Sequence, residues 1–222
     1  MDRSSRNRLT ERLLPQFPGE TLFDRLARTV CRVGCLPRKE LYEAWEVARR
    51  VRRRFRGGRV VDLACGHGLL AHILLLLDDS SSLALAVDRR IPEQAAKLAV
   101  CLVESWPRLA GRVQFLEQDL AQVELLPGDL VVSVHACGGL TDLVLERAMA
   151  VGARVAVLPC CHDLAAGDPG GLQGWLDGPL AQDVLRAGRL SEKGYRVITQ
   201  RIPGDITPKN RLLMGEPAMT FQ

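Results

Sequence analysis

Val60-Val61-Asp62-Leu63-Ala64-Cys65-Gly66-His67-Gly68-Leu69-Leu70-Ala71 is the stretch whose reading decides the fold of this 222-residue chain. Val60, Val61 and Leu63 form a short apolar run of the kind found in strands buried on both faces. Gly66 and Gly68 then permit unusual backbone angles and let a ligand come close to the main chain. Leu69 to Leu77 has the length and composition of a helix packed on a sheet. A glycine turn between the first strand of an α/β sheet and the helix that follows is where nucleotide-like ligands sit.

Downstream the same alternation recurs. Strands are expected at Leu83–Asp88, Arg112–Asp119, Asp129–His135 and Ala153–Leu158, separated by helices over Pro92–Ser105 and Thr141–Ala150. Thr141 or Asp142 is suited to open the second of these helices. A Gly-, Asp- and Pro-rich loop follows over 164–178, then a helix over Pro179–Leu190 and two closing strands at Tyr195–Ile202 and Arg211–Gly215. The expectation is a doubly wound α/β fold with a mostly parallel seven-stranded sheet and an antiparallel edge. Upstream, Leu22, Leu26, Val30 and Val33 recur at helical spacing. A second helix runs from Arg38 to about Phe55 and stops at Gly57-Gly58. The chain thus divides into a helical extension, 1–57, and a main domain, 58–222.

Composition narrows the class. Hydrophobic residues at 47% and charged residues at 25% suit an ordinary globular protein, and seven cysteines, an odd number, argue against a disulfide framework. The polar start and the absence of a long apolar run lead to the expectation of a cytoplasmic protein without membrane association. Charge is unevenly spread: residues 1–58 carry 15 Lys and Arg against 7 Asp and Glu, whereas the remainder carries 15 against 19. Arg49, Arg50, Arg52, Arg53, Arg54 and Arg56 crowd the end of the second helix. Some cation there is favoured by the helix dipole, but six suggest contact with phosphates, so RNA is the expected partner. Cys31 and Cys35, one helical turn apart, read as packed thiols because no second pair completes a zinc site.

Three acids close three successive strands: Asp62, Asp88 and Asp119. An acid after the second strand suits the two hydroxyls of a ribose, which leaves a dinucleotide or S-adenosylmethionine as cofactor. A dinucleotide turn carries a third glycine or an alanine, and Ala71 meets that loosely. Asp62 within the turn and Asp119 after the third strand favour a cationic cofactor without phosphate.

On these residues the chain resembles the class I S-adenosylmethionine-dependent methyltransferases. Asp62-Leu63-Ala64-Cys65-Gly66-His67-Gly68 matches their D-x-G-x-G-x-G turn, with Ala64 in place of the first glycine. The resemblance implies that Ala64, Gly66 and Gly68 pass close to the methionine part, that Asp88 holds the ribose and that Asp119 faces the adenine amino group. It covers roughly residues 58–216.

The reactive residues lie after the fourth and fifth strands. His135-Ala136-Cys137-Gly138 runs on to Thr141-Asp142, Pro159-Cys160-Cys161-His162 comes later, and Thr207-Pro208-Lys209-Asn210 precedes the last strand. This set resembles the branch containing the methyltransferase domain of the glutathione S-transferase C-terminal-domain-containing protein. More distantly it resembles the CHHC-zinc-finger tRNA 2′-O-methyltransferases, which implies a ribose hydroxyl as acceptor. His135 and His162 have the intrinsic pKa to take a proton from a hydroxyl. His135 also borders the cofactor. Cys137 is a candidate for the reaction, while Cys160, Cys161, Lys209 and Asn210 are candidates for substrate contact. A zinc site among these cysteines and histidines, or a thiol nucleophile, is the alternative chemistry. The rival readings of the whole are a small-molecule methyltransferase with the amino-terminal helices as a lid, and a non-catalytic cofactor-binding protein.

Overall fold

The computed structural model describes residues 2–159, 162 and 169–218. The chain opens with α1 (Leu22–Val33) and α2 (Arg38–Arg54), then enters β1 (Val60–Leu63) and α3 (Leu69–Leu77). It continues through β2 (Ala84–Asp88), α4 (Glu93–Ser105), β3 (Val113–Glu117), β4 (Leu130–Ser133), α5 (Gly139–Val151) and β5 (Arg154–Val157). It closes with α6 (Gly178–Glu192), β6 (Tyr195–Arg201) and β7 (Arg211–Pro217).

The strands form one sheet in the order β3-β2-β1-β4-β5-β7-β6. The first five are parallel, and β7 runs antiparallel between β5 and β6. The expected doubly wound sheet with an antiparallel edge is what forms. Because side chains alternate across a strand, one sheet yields two cores. Val60, Leu130, Val132 and Ala156 face the layer of α1, α2, α3 and α4. Val61, Val131, Val155 and Val157 face α5 and α6.

The amino-terminal helices share the first of these cores. Thr21 caps α1 by accepting the Asp24 N–H at 3.1 Å, and Gly34 ends it in the left-handed region. α1 packs against α4, and α2 against α3. Leu69 to Leu76 are buried without a break, so α3 has no solvent face. One side of it rests on the sheet and the other is covered by α2. That arrangement follows from composition, since a helix apolar all round must be buried all round.

The start of α2 is held unusually. Pro37 at its N-cap offers no side-chain acceptor, so the first-turn N–H groups need other partners. The segment before α1 supplies them: the Ser5 and Asn7 carbonyls accept the Lys39 and Arg38 N–H groups, each at 3.0 Å. Leu9 N–H donates to the Leu36 carbonyl at 2.9 Å.

Helix α5 begins at Gly139, earlier than expected, so Thr141 and Asp142 are not its cap. The Thr141 hydroxyl donates to the Ala136 carbonyl at 2.6 Å, and Asp142 pairs with Arg186 at 2.7 Å. The two side chains fasten the β4 exit and α6 instead.

Candidate active site

After β1 the chain turns through Ala64 (φ 57°), Gly66 (φ 52°) and Gly68 (φ 70°) into α3. The two glycines serve different ends. A Cβ at Gly66 would meet nothing within 4 Å, so a ligand can lie against that backbone. A Cβ at Gly68 would stand 2.7 Å from the Phe115 ring, so there the sheet itself demands glycine. Ala64 adopts the left-handed region with a side chain, at a cost of about 1–2 kcal/mol.

The three acids divide. Asp88 Oδ2 accepts the Gly66 N–H at 2.9 Å, which ties the turn to β2; Oδ1 has no partner among the described residues. Asp62 is buried, and its Oδ2 accepts the Ala71 N–H at 3.2 Å in the first turn of α3. Burial pushes its carboxyl up to about 8, with Asp88 adding to the rise and the Ala71 bond opposing it. Near neutral pH Asp62 is therefore largely protonated. Asp119, the residue expected to face the adenine amino group, is engaged locally. Its Oδ1 accepts the Ala121 N–H at 2.9 Å, and its Oδ2 takes the Arg89 guanidinium at 2.9 Å. Both oxygens are spent on local structure.

The state of Asp62 gives a pH prediction for the cofactor-free protein. A carboxyl raised in the fold keeps its proton while the unfolded chain releases it, so stability falls as pH climbs from about 4 to about 8. Asp62→Asn keeps an acceptor for Ala71 and removes the ionisation. Its unfolding free energy should gain on that of the natural protein across that window, by at most about 1.4 kcal/mol per pH unit, with the melting temperature following, and level off above it. Parallel melting curves from pH 4 to 9 would refute this.

A cavity of about 30 Å³ lies between the glycine turn and α2, lined among others by Leu36, Glu40, Ala44, Gly66, His67 and His135. His135, at the β4 exit, is brought to the turn as expected. Burial depresses its imidazole to about 4, with Lys39 and His67 depressing it further, so it is a neutral ring. Cys137 is exposed on the same connection. Cys160 and Cys161 lie outside the described residues.

His162 sits in a different setting. Its side chain is 2% exposed, and its Nε2 lies 2.8 Å from Asp183 Oδ1. Its Nδ1 is buried and has no partner among the described residues. Asp183 is itself fixed by Arg211, 2.6 Å from Oδ2, and by Arg186, 3.1 Å from Oδ1. Nothing in the local sequence signals Asp183 as the partner of His162 or Glu40 as a wall of the cavity; each is brought there from an element far away in the chain.

Lys209 is exposed. Asn210 donates to the Ile202 carbonyl at 3.0 Å and closes the β6–β7 connection. Among the described residues no group of three His, Cys, Asp or Glu side chains is placed to hold a metal ion. Cys31 and Cys35 are buried, and burial pushes both thiols up to about 11.

The arginine cluster is dispersed by the fold. Arg52 is buried, with its Nη1 3.3 Å from Asp78 Oδ2, so it is withdrawn from any phosphate-contacting set. Arg49 and Arg50 pair with Glu46, and Arg56 pairs with Asp78. Arg53 and Arg54 are the exposed members without an ion pair among the described residues. They end α2 just ahead of β1, at the amino ends of the parallel strands, whereas the glycine turn lies at the carboxyl ends. The 17 residues of α2 put about 25 Å along the helix between its two ends.

A family profile described as a methyltransferase domain matches residues 39–167, more than half of the chain. No curated protein matches. Among solved structures, the chain is similar to an O-methyltransferase family protein from Burkholderia thailandensis, with 18% identity and a TM-score of 0.54. That likeness covers 95% of this chain and 63% of the other, so this chain spans under two thirds of that protein's length. Magnesium protoporphyrin IX methyltransferase from Synechocystis PCC 6803, solved with bound S-adenosylhomocysteine, gives 16% identity and a TM-score of 0.54, over 94% of this chain and 100% of that one. The fibrillarin/Nop5p complex gives 13% identity and a TM-score of 0.51, over 80% and 84%. At these identities the likenesses establish the fold. Family match, glycine turn and sheet order agree: the chain belongs to the methyltransferase-domain family.

Proposed function

We propose that this enzyme methylates a hydroxyl group, with His162 taking the acceptor's proton and Asp183 positioning His162. The observation that carries the reading is the buried Nδ1 of His162, without a partner among the described residues, opposite an Nε2 held by a carboxylate. With Asp183 accepting the Nε2–H, Nδ1 presents a lone pair, and the carboxylate stabilises the imidazolium that forms when the proton arrives. Among the described residues His135 has no such carboxylate partner, and burial penalises its charged form. It suits a neutral wall of the site.

The residues at the turn fit the donor. S-adenosylmethionine, when bound, supplies an electrophilic methyl group on a sulfonium. Gly66 offers open backbone, and Asp88 Oδ1 offers an acceptor for a ribose hydroxyl. The methionine arm needs more room than the cavity's 30 Å³. Glu40 and His67, half-buried on its rim, are the side chains placed to make that room by turning.

For the acceptor we favour a small molecule, because Leu36, Glu40 and Ala44 roof the cofactor turn as a lid would. RNA is the second reading, with a tRNA ribose 2′-hydroxyl as the acceptor that the branch resemblance suggests. It is supported by the basic residues of 1–58 and by exposed Arg53 and Arg54. Incubating the whole protein with radiolabelled S-adenosylmethionine and a cell extract, then separating small molecules, RNA and protein, decides between them. Label among small molecules that survives Arg53→Gln with Arg54→Gln supports the first reading. Label in RNA that falls steeply with salt and with those changes supports the second. Once an acceptor is known, His162→Asn should lower kcat by about 10²–10⁴-fold, and unchanged turnover would remove His162 from the reaction.

A further inference from the structure

We propose that the Glu40 carboxylate receives the α-ammonium group on the methionine arm of the methyl donor. The inference rests on the S-adenosylmethionine reading above and adds to it a residue from the amino-terminal helices. Glu40 stands in the first turn of α2 and lines the cavity above Gly66, together with Leu36, Ala44 and His67. It accepts no hydrogen bond and makes no ion pair among the described residues. The nearest cation is already engaged, since Lys39 Nζ lies 2.7 Å from Glu43 Oε1.

The other acids around the turn are less suited. Asp62 is buried beneath α3 and its Oδ2 holds the Ala71 N–H. Asp88 stands at the end of β2, on the ribose side, with one oxygen on Gly66. Glu40 alone among the three keeps both oxygens unclaimed. Burial raises its carboxyl, with Glu43 adding to the rise and Lys39 opposing it. A half-buried acid in that state gains most from a bound cation that donates hydrogen bonds. Its position is fixed from outside, because the Ser5 and Asn7 carbonyls hold the first turn of α2.

Two cofactor products separate this role from general damage. S-adenosylhomocysteine carries the α-ammonium group, whereas 5′-methylthioadenosine has the same nucleoside and thioether without the amino-acid arm. Calorimetric titration of the whole protein should show Glu40→Gln weakening S-adenosylhomocysteine by about tenfold or more, with 5′-methylthioadenosine within about twofold of the natural protein. Glu40→Asp, with the charge on a shorter arm, should bind S-adenosylhomocysteine more tightly than Glu40→Gln does. Unchanged S-adenosylhomocysteine affinity in Glu40→Gln overturns the proposal. So does equal weakening of both ligands, or the reverse order of the two variants. If the natural protein binds neither ligand, the cofactor reading falls first and takes the proposal with it.

Discussion

Arg52→Met is expected to lower the stability of the protein by about 3–5 kcal/mol, against less than about 0.5 kcal/mol for Arg53→Met one position along. The Arg52 side chain is 3% exposed, and the Asp78 side chain beside it is 5% exposed. The guanidinium donates Nε to the Leu74 carbonyl at 3.0 Å and Nη2 to the Ser81 hydroxyl at 2.9 Å. Burial pulls it down to about 10, and Asp78 opposes that fall. Methionine fills similar space but supplies no donor, so a buried carbonyl and a buried carboxylate both lose a partner. Asp78 keeps its bonds from Ser80 and Gly57, which keeps the loss toward the lower end of the range.

The pH dependence has a definite sign. Burial alone would raise the Asp78 carboxyl, but the Ser80 hydrogen bonds and Arg52 together hold it below its ordinary value. Its stabilisation is present above the unfolded carboxyl range and lost as pH falls through the lowered folded value. The gap between natural protein and Arg52→Met should therefore narrow in acid. Urea unfolding at pH 7 and near pH 3 checks both statements, and coincident midpoints at pH 7 would refute the first. The result also bears on any arginine-replacement test of RNA binding. A variant stripped of all six arginines would lose affinity by unfolding, so Arg52 has to be retained.

The arginine cluster shows where sequence reading stops. Along the chain, Arg52 and Arg53 are equivalent members of a basic run; around the helix they are about 100° apart, and one faces Asp78 while the other faces water. The fold was legible because its signals are local and repeated: short runs dominated by apolar residues, a glycine turn, and helices of fitting length between. The cofactor turn was legible for the same reason, since Asp62, Gly66 and Gly68 lie within seven residues. Asp88 followed from strand order. The local partners of Asp119 were not legible, because the turn after β3 brings Arg89 and the Ala121 N–H to the same carboxylate. The Asp183 partner of His162 and the position of Glu40 over the turn depend on how α6 and α2 lie on the sheet. No spacing in the sequence encodes either.

The second large effect concerns residues 1–57. A chain starting at residue 58 is expected not to fold, although it retains every strand and the whole cofactor turn. Helix α3 is the reason. Leu69 to Leu76 are all buried, and α2 covers the side that the sheet does not. Removing α2 would expose about four leucine-sized side chains at roughly 1.5–3 kcal/mol each, about 6–12 kcal/mol in total. That is comparable with the whole stability of a typical domain, about 5–15 kcal/mol. The loss extends further, because α1 shields part of α4, and Asp78 loses its partners Arg52, Arg56 and Gly57. Circular dichroism and a thermal melt of residues 58–222, beside the full chain, should show loss of the cooperative transition. A cooperative melt within a few degrees of the full chain would instead mean that α3 finds other cover. Deleting residues 1–7 alone, which leaves the buried Leu9 in place, is a milder test of the same architecture. It removes the Ser5 and Asn7 carbonyls from the first turn of α2 and leaves the α2–α3 packing in place. It should cost cofactor affinity more than stability, since Leu9 stays in the core while Glu40 loses the carbonyls that hold its helix turn over Gly66.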